Sequence, residues 1–126
     1  MKTKIALPIT VILILAFTLS ACSVVGDISA ISDTGNAFMT ALKDGDHAAS
    51  WEMLAANVQE EIGSPEAWAE WASIRNFPEW KFTNTEFENT TGQMDGEATL
   101  DGVTYTVTLI FDKVNDAWKV SGIFFE

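Results

Sequence analysis

The feature that most constrains this chain is a change of period at Trp80. Before it, apolar residues recur at helical spacing; after it, they alternate. The alternation is clearest where Val103, Tyr105, Val107, Leu109 and Phe111 interleave with Thr104, Thr106 and Thr108, a strand with one apolar and one polar face. Asp101-Gly102 ahead of it is a tight-turn signal. Strands are also expected near Trp80 to Glu88, with a turn at Thr90-Thr91-Gly92, and near Gly96 to Leu100. A turn over Lys113 to Asp116 leads to a last strand, in which Trp118, Val120, Gly122 and Phe124 alternate with Lys119, Ser121, Ile123 and Phe125. Helices followed by an antiparallel meander make the fold class α+β.

Upstream, Ile28, Ile31, Gly35, Phe38 and Leu42 mark a first helix ending before Gly45. Asp46 caps a second, whose inner stripe is Trp51, Leu54, Val58 and Ile62. Ser64-Pro65-Glu66 reads as N-cap, first helical position and an acid favourable to the helix dipole, opening a third helix to about Ile74. Phe77-Pro78 closes the helical part.

The first 21 residues have a different character. Lys2 and Lys4 precede an apolar segment from Ile5 to Phe17, the layout of a secretory signal peptide. A retained membrane span needs about 20 apolar residues, and this segment is interrupted by Pro8, Thr10, Thr18 and Ser20. The following Leu19-Ser20-Ala21-Cys22 resembles the lipobox of bacterial lipoproteins. The resemblance implies cleavage before Cys22 and a diacylglycerol on its thiol, anchoring the domain to the cell membrane or, with Ser23 next, to the outer membrane, outside the cytoplasm. The chain thus divides into a signal peptide (1–21), a lipidated cysteine with a short tether (22–27) and one domain (28–126). From Ser23 to Asp27 the tether spans under roughly 20 Å. Cys22 is the single cysteine, so no internal disulfide forms.

Without the leader, five basic residues (Lys43, Arg75, Lys81, Lys113, Lys119) face 18 acidic ones, a formal charge of −13. Such a surface excludes nucleic acid as a partner, because phosphate binding needs clustered Lys and Arg. It is also repelled by anionic headgroups, so the domain stands off the bilayer that anchors it.

Phe38, Ala41, Leu42, Gly45, Asp46, Ala49 and Leu54, with Trp118-Lys119-Val120 and Gly122, resemble the opening and last strand of small domains of the cystatin-like, nuclear transport factor 2-like fold. The resemblance covers about Ile28 to Glu126. It implies a curved antiparallel sheet wrapped around the helices as a cone, often with a pocket at the open end and often dimerising through the outer sheet face. Relatives include ketosteroid isomerase-like and epoxide hydrolase-like enzymes, which need a carboxylate base and a phenol or second acid in one apolar cavity. Here Tyr105 is the only polar tip among the inner strand positions Val103, Val107, Leu109, Phe111, Trp118, Val120 and Phe124. No acid matches it, because Glu97 and Asp101 fall at solvent positions.

No cofactor or metal is expected. His47, the single histidine, has Asp44, Asp46 and Glu52 nearby, but this segment lacks the ligand series and closing Glu of a calcium loop. A helix cap and turn explain it. Five tryptophans are the one compositional hint of a ligand. Trp68 and Trp71, with Arg75 four residues further on, line a pocket mouth and stack a cation, or else close the core from the helix side. Trp51, Trp80 and Trp118 belong to the core. Ile110, Ile123 and Phe125 fall on the outer strand face, where they form an interface patch.

Three readings follow. The first is a membrane-anchored, non-enzymatic binding or accessory domain with a pocket for a small apolar ligand or peptide at Trp68, Trp71 and Tyr105. The second is a structural module that pairs through Ile110, Ile123 and Phe125 with a second copy or an envelope protein. An enzyme of the ketosteroid isomerase-like type comes third.

Overall fold

The computed structural model describes residues 26–75 and 77–126; the expected leader, Cys22 and most of the tether lie outside the described residues. Its elements run α1 (26–44), α2 (His47–Glu52), α3 (Ala56–Ile62), α4 (Pro65–Ser73), β1 (Glu79–Glu88), β2 (Thr91–Leu100), β3 (Val103–Val114) and β4 (Ala117–Phe125). All four strands form one antiparallel sheet in the order β1-β2-β3-β4. Helices precede strands as the periodicity requires, and each hairpin is closed by a short turn.

The expected caps are present. Asp46 Oδ1 accepts the Ala49 N–H at 3.1 Å at the start of α2, and Ser64 Oγ accepts the Ala67 N–H at 3.2 Å ahead of Pro65 in α4. Asp101 and Gly102 both have positive φ (51° and 77°), the backbone of a two-residue turn whose twist suits a hairpin. Asn115 and Asp116 do the same at φ 50° and 64°, so β3 continues through Lys113 and the last turn is two residues rather than four.

Other expectations are corrected. β2 begins at Thr91, five residues before Gly96, and the preceding turn is Asn89-Thr90. Gly92 lies inside the strand, where a Cβ would come within 2.8 Å of Ile31 Cδ1. The stripe Trp51, Leu54, Val58, Ile62 is not one helix. Chain between α2 and α3 docks against β4 instead: Val120 N–H donates to Met53 C=O and Ala55 N–H donates to Val120 C=O, each at 2.8 Å. Leu54 is buried there and bridges Val120 in parallel. Finally, Gly26 and Asp27 belong to α1 rather than to the tether.

Asp27 is fixed to the sheet. Lys113 Nζ donates to its Oδ1 at 2.8 Å, and the same ammonium lies 5.7 Å from the Trp118 ring centroid. The Lys113 hydrogen bond holds the Asp27 carboxyl below its ordinary 3.8, against partial desolvation. The charge of Lys113 and the indole N–H of Trp118 add to the lowering, although that N–H reaches no acceptor in hydrogen-bond geometry among the described residues. Lys113 is raised above 10.5 by the same partner.

The core lies between the helices and one sheet face: Ile31, Phe38, Met39 and Leu42 of α1 meet Met94, Ala98, Val107, Leu109, Phe111, Trp118 and Val120. Gly35 permits the approach of α1, since a Cβ there would run into the Met94 thioether and Phe111.

Two bulges interrupt the alternation. In β1, Thr83 is the extra residue between the pairs Phe82–Gly96 and Asn84–Asp95. In β4, Ser121 is the extra residue between Phe111–Val120 and Ile110–Gly122. Because strand faces alternate strictly, one added residue exchanges them. Beyond Ser121, Ile123 and Phe125 therefore turn to the core face, while Phe124, expected inside, is 57 % exposed beside Ile110. Ile110, Ile123 and Phe125 do not share one face. Val103, also expected inside, is 52 % exposed at the sheet end.

Around Ile110 and Phe124 the outer face is polar. Asp95 accepts from both Gln93 Nε2 and Thr108 Oγ1 at 3.0 Å, and more distantly from Asn84.

Two outcomes follow. A Cβ on Gly96 would overlap the Lys81 carbonyl oxygen and lie 2.6 Å from Phe82 Cα, both backbone. Gly96→Ala is expected to destabilise the domain by about 1–3 kcal/mol, a fall in Tm on the order of 4–24 °C, measured by thermal melting. A depressed carboxylate pKa contributes stability above its unfolded value, and this is lost as pH falls through the folded value. Asp27→Asn should accordingly lower Tm at neutral pH. The gap to wild type should close as the solution is taken below 3.8.

Candidate functional site

One concavity opens between the helices α3 and α4 and the C-terminal half of β4, and a second lies just past the end of α4. The larger, about 650 Å³, is lined by Val58, Ile62, Trp68, Trp71, Ile123 and Phe124, with Glu61 and Ser121 among its few polar groups. The smaller, about 290 Å³, is lined by Ile74, Arg75, Phe77, Leu100, Tyr105 and Phe125. Both owe a wall to the bulge at Ser121, which turns Ile123 and Phe125 inward.

The helical side is a stack built from the core outward. Ser50 is fully buried and donates to the His47 carbonyl at 3.1 Å. Its Oγ accepts the indole N–H of Trp68 at 2.8 Å, fixing that ring at 3 % exposure. Trp71 lies on Trp68, with centroids 5.0 Å apart and planes inclined at 19°. Arg75 caps the stack, its Cζ 4.5 Å from the Trp71 ring centroid and Nη1 donating to the Trp71 carbonyl at 3.0 Å. Trp68 and Trp71 share one face of α4, and Arg75, just past the end of the helix, folds back onto Trp71.

The expected ligand residues are thus divided. Trp68 is chiefly core, Trp71 is half-buried on the larger concavity, and Tyr105 lies on the smaller one. Arg75 connects them, since it covers Trp71 and lines the cavity of Tyr105. Phe77 and Phe125 floor that cavity as a stacked pair, centroids 4.6 Å apart. Sequence reasoning missed both: Phe77 was assigned only to the end of the helical part, and Phe125 to the wrong face. No carboxylate lines the Tyr105 cavity among the described residues.

His47 opens α2, and its Nδ1 is buried without a partner among the described residues. Trp118 is buried and Trp51 and Trp80 pack against the core; the Trp80 indole donates to Asn36 Oδ1 at 3.0 Å.

Removing the Ser50 hydroxyl leaves a buried indole N–H unpaired. Ser50→Ala is expected to cost about 1–3 kcal/mol, read by chemical denaturation, and to loosen the Trp stack, visible as altered near-UV circular dichroism.

No known protein family matches the chain by sequence, and no curated protein does either. Solved structures do match. A nuclear transport factor 2-like (NTF2-like) protein of unknown function from Shewanella oneidensis is similar at 18 % identity over 75 % of this chain and 94 % of its own, with a TM-score of 0.56. An NTF2-like protein from Campylobacter jejuni, provisionally named a transpeptidase, is similar at 12 % identity over 72 % and 96 %, with a TM-score of 0.54. A SEC-C motif containing protein from Rhodopseudomonas palustris gives 13 % identity over 68 % and 70 %, with a TM-score of 0.55. The domain has the α+β, NTF2-like fold.

Proposed function

We propose that this protein is a lipid-anchored envelope lipoprotein whose NTF2-like domain binds a small apolar ligand and catalyses no reaction. The observation that carries the binding reading is the pair of aromatic-walled concavities beside α4 and the end of β4, of a size and lining suited to small ligands. The anchor is read from Leu19-Ser20-Ala21-Cys22. Two or more acyl chains at Cys22 hold a domain stably at a bilayer, and no helix of the described residues is long and apolar enough to do so by spanning.

The chemistry of the lining supports binding without catalysis. Acid–base work in a cone of this kind calls for a carboxylate facing the phenol, and Tyr105 has apolar neighbours and Arg75. Ser121 lies in the larger concavity, but no base is hydrogen-bonded to it among the described residues. Pairing through the outer sheet face is less well supported. That face carries the Asp95 hydrogen-bond network, and its apolar members reduce to Ile110 and Phe124.

Each half of the proposal has its own test. Cys22→Ala should abolish incorporation of labelled fatty acid and release the protein from the membrane fraction; retention of both labels and location would contradict the anchor. The chain from Ser23, purified from cells without refolding, should show extra mass under native conditions that disappears on denaturation. Trp71→Ala should reduce that extra mass strongly. A native mass equal to the chain alone would count against the binding reading.

A further inference from the structure

The smaller cavity has a chemical signature of its own. Its lining is mostly apolar, with Phe77 and Phe125 stacked on each other and Leu100 and Ile74 beside them, and its two residues with polar ends are Tyr105 and Arg75. Neither is fully satisfied by the described residues. Tyr105 has no hydrogen-bond partner among the described residues, and of the five N–H groups on Arg75 one donates, to the Trp71 carbonyl.

Arg75 stands apart from the other described cations. Lys113 is paired with Asp27, and Lys119 donates to the Glu52 carbonyl. Lys43 and Lys81 are exposed beside Glu79 and Glu97 in a shallow hollow on the other side of the sheet end. Arg75 is half-buried, has no carboxylate within ion-pair distance among the described residues, and does so in a domain with 18 acidic side chains. It is also immobilised: the Trp71 ring and carbonyl fix the plane of its fork. A planar guanidinium held with open N–H groups is matched by the two oxygens of a carboxylate, and a preset fork loses less side-chain freedom on binding than a free one.

We propose that the cavity bounded by Arg75, Tyr105, Phe77 and Phe125 binds an apolar monocarboxylate, the carboxylate on Arg75 with the Tyr105 hydroxyl donating to it, and the tail over the two phenylalanines. This rests on the reading of the domain as a binding module and names the ligand class. The volume of about 290 Å³ is at the small end for a ligand site, so the tail is of medium length. Amines and quaternary ammonium ions are rejected, because no carboxylate lines the cavity and Arg75 repels them.

The test uses the chain from Ser23, which contains every core residue named above, and three probes of equal chain length: decanoate, decanol and decyltrimethylammonium. Each is titrated below its micelle concentration by calorimetry and by tryptophan fluorescence. The expected result is that decanoate binds ~10-fold or more tightly than decanol, as a charge-assisted, two-point contact should, and that the cation does not bind. Arg75→Met should bring decanoate down to the level of decanol. Unchanged decanol binding in that variant shows that the cavity is intact. Arg75→Lys should restore part of the preference, and Tyr105→Phe should weaken decanoate alone. Equal binding of decanoate and decanol to the wild type, or a preference that survives Arg75→Met, overturns the carboxylate assignment and leaves the binding reading standing. If no probe binds, the binding reading itself fails and the ligand class with it.

Discussion

The backbone of Val120 is held from both sides. Across the sheet it faces Phe111, and on its free edge it exchanges two 2.8 Å hydrogen bonds with Met53 and Ala55. Satisfying its outward N–H and C=O with the α2–α3 connector anchors the helical layer to the strand, and the next residue, Ser121, is the bulge. Everything at the open end of the cone depends on that pair of features. Without the connector, α3 and α4 would not stand beside β4. Without the extra residue, Ile123 and Phe125 would point outward, Phe124 would point in, and neither concavity would have its present wall. The stacked pair Phe77–Phe125 exists because the strand changes phase there.

Electrostatics is arranged with equal economy. Acidic side chains far outnumber basic ones, and three of the five cations among the described residues are held by specific partners. Lys113 joins α1 to β3 through Asp27, Lys119 reaches back to the end of α2, and Arg75 lies on Trp71. Of these, Arg75 alone keeps hydrogen-bonding capacity turned toward a cavity. The walls of the two concavities arise from Trp68 and Trp71 three apart on α4, a buried hydroxyl that orients the first ring, an arginine that folds back on the second, and a strand that delivers the opposite side.

Much of this was legible in the sequence where the local signal and the tertiary outcome coincide. The alternation from Val103 to Phe111, the Asp46 and Ser64 caps, the Asp101-Gly102 turn and the shared face of Trp68 and Trp71 all follow from short-range chemistry. The failures share one cause, which is that they were decided by contacts distant in sequence. Trp51, Leu54, Val58 and Ile62 fit a continuous helix, and only the hydrogen bonds to Val120 explain why the helix breaks at Leu54. Gly122 directly after Ser121 is a signal compatible with a bulge, but it also fits the apolar alternation, and strict alternation carries Ile123 and Phe125 to the wrong face. The sequence reading puts Tyr105 in one pocket with Trp68 and Trp71, whereas the structure separates it from them and pairs it with Arg75, 30 positions away, on a second cavity. The residues of the stack were thus readable, and the division of the pocket was not.

The change of phase at Ser121 can be observed directly by nuclear Overhauser spectroscopy on the chain from Ser23, with selectively labelled phenylalanine rings. The account predicts cross-peaks between the rings of Phe125 and Phe77, whose centroids are 4.6 Å apart, and between Phe124 and Ile110 on the outer face. Cross-peaks from Phe124 to Phe77, with Phe125 next to Ile110, would show that alternation runs unbroken through β4 and that the cavity walls described here do not form.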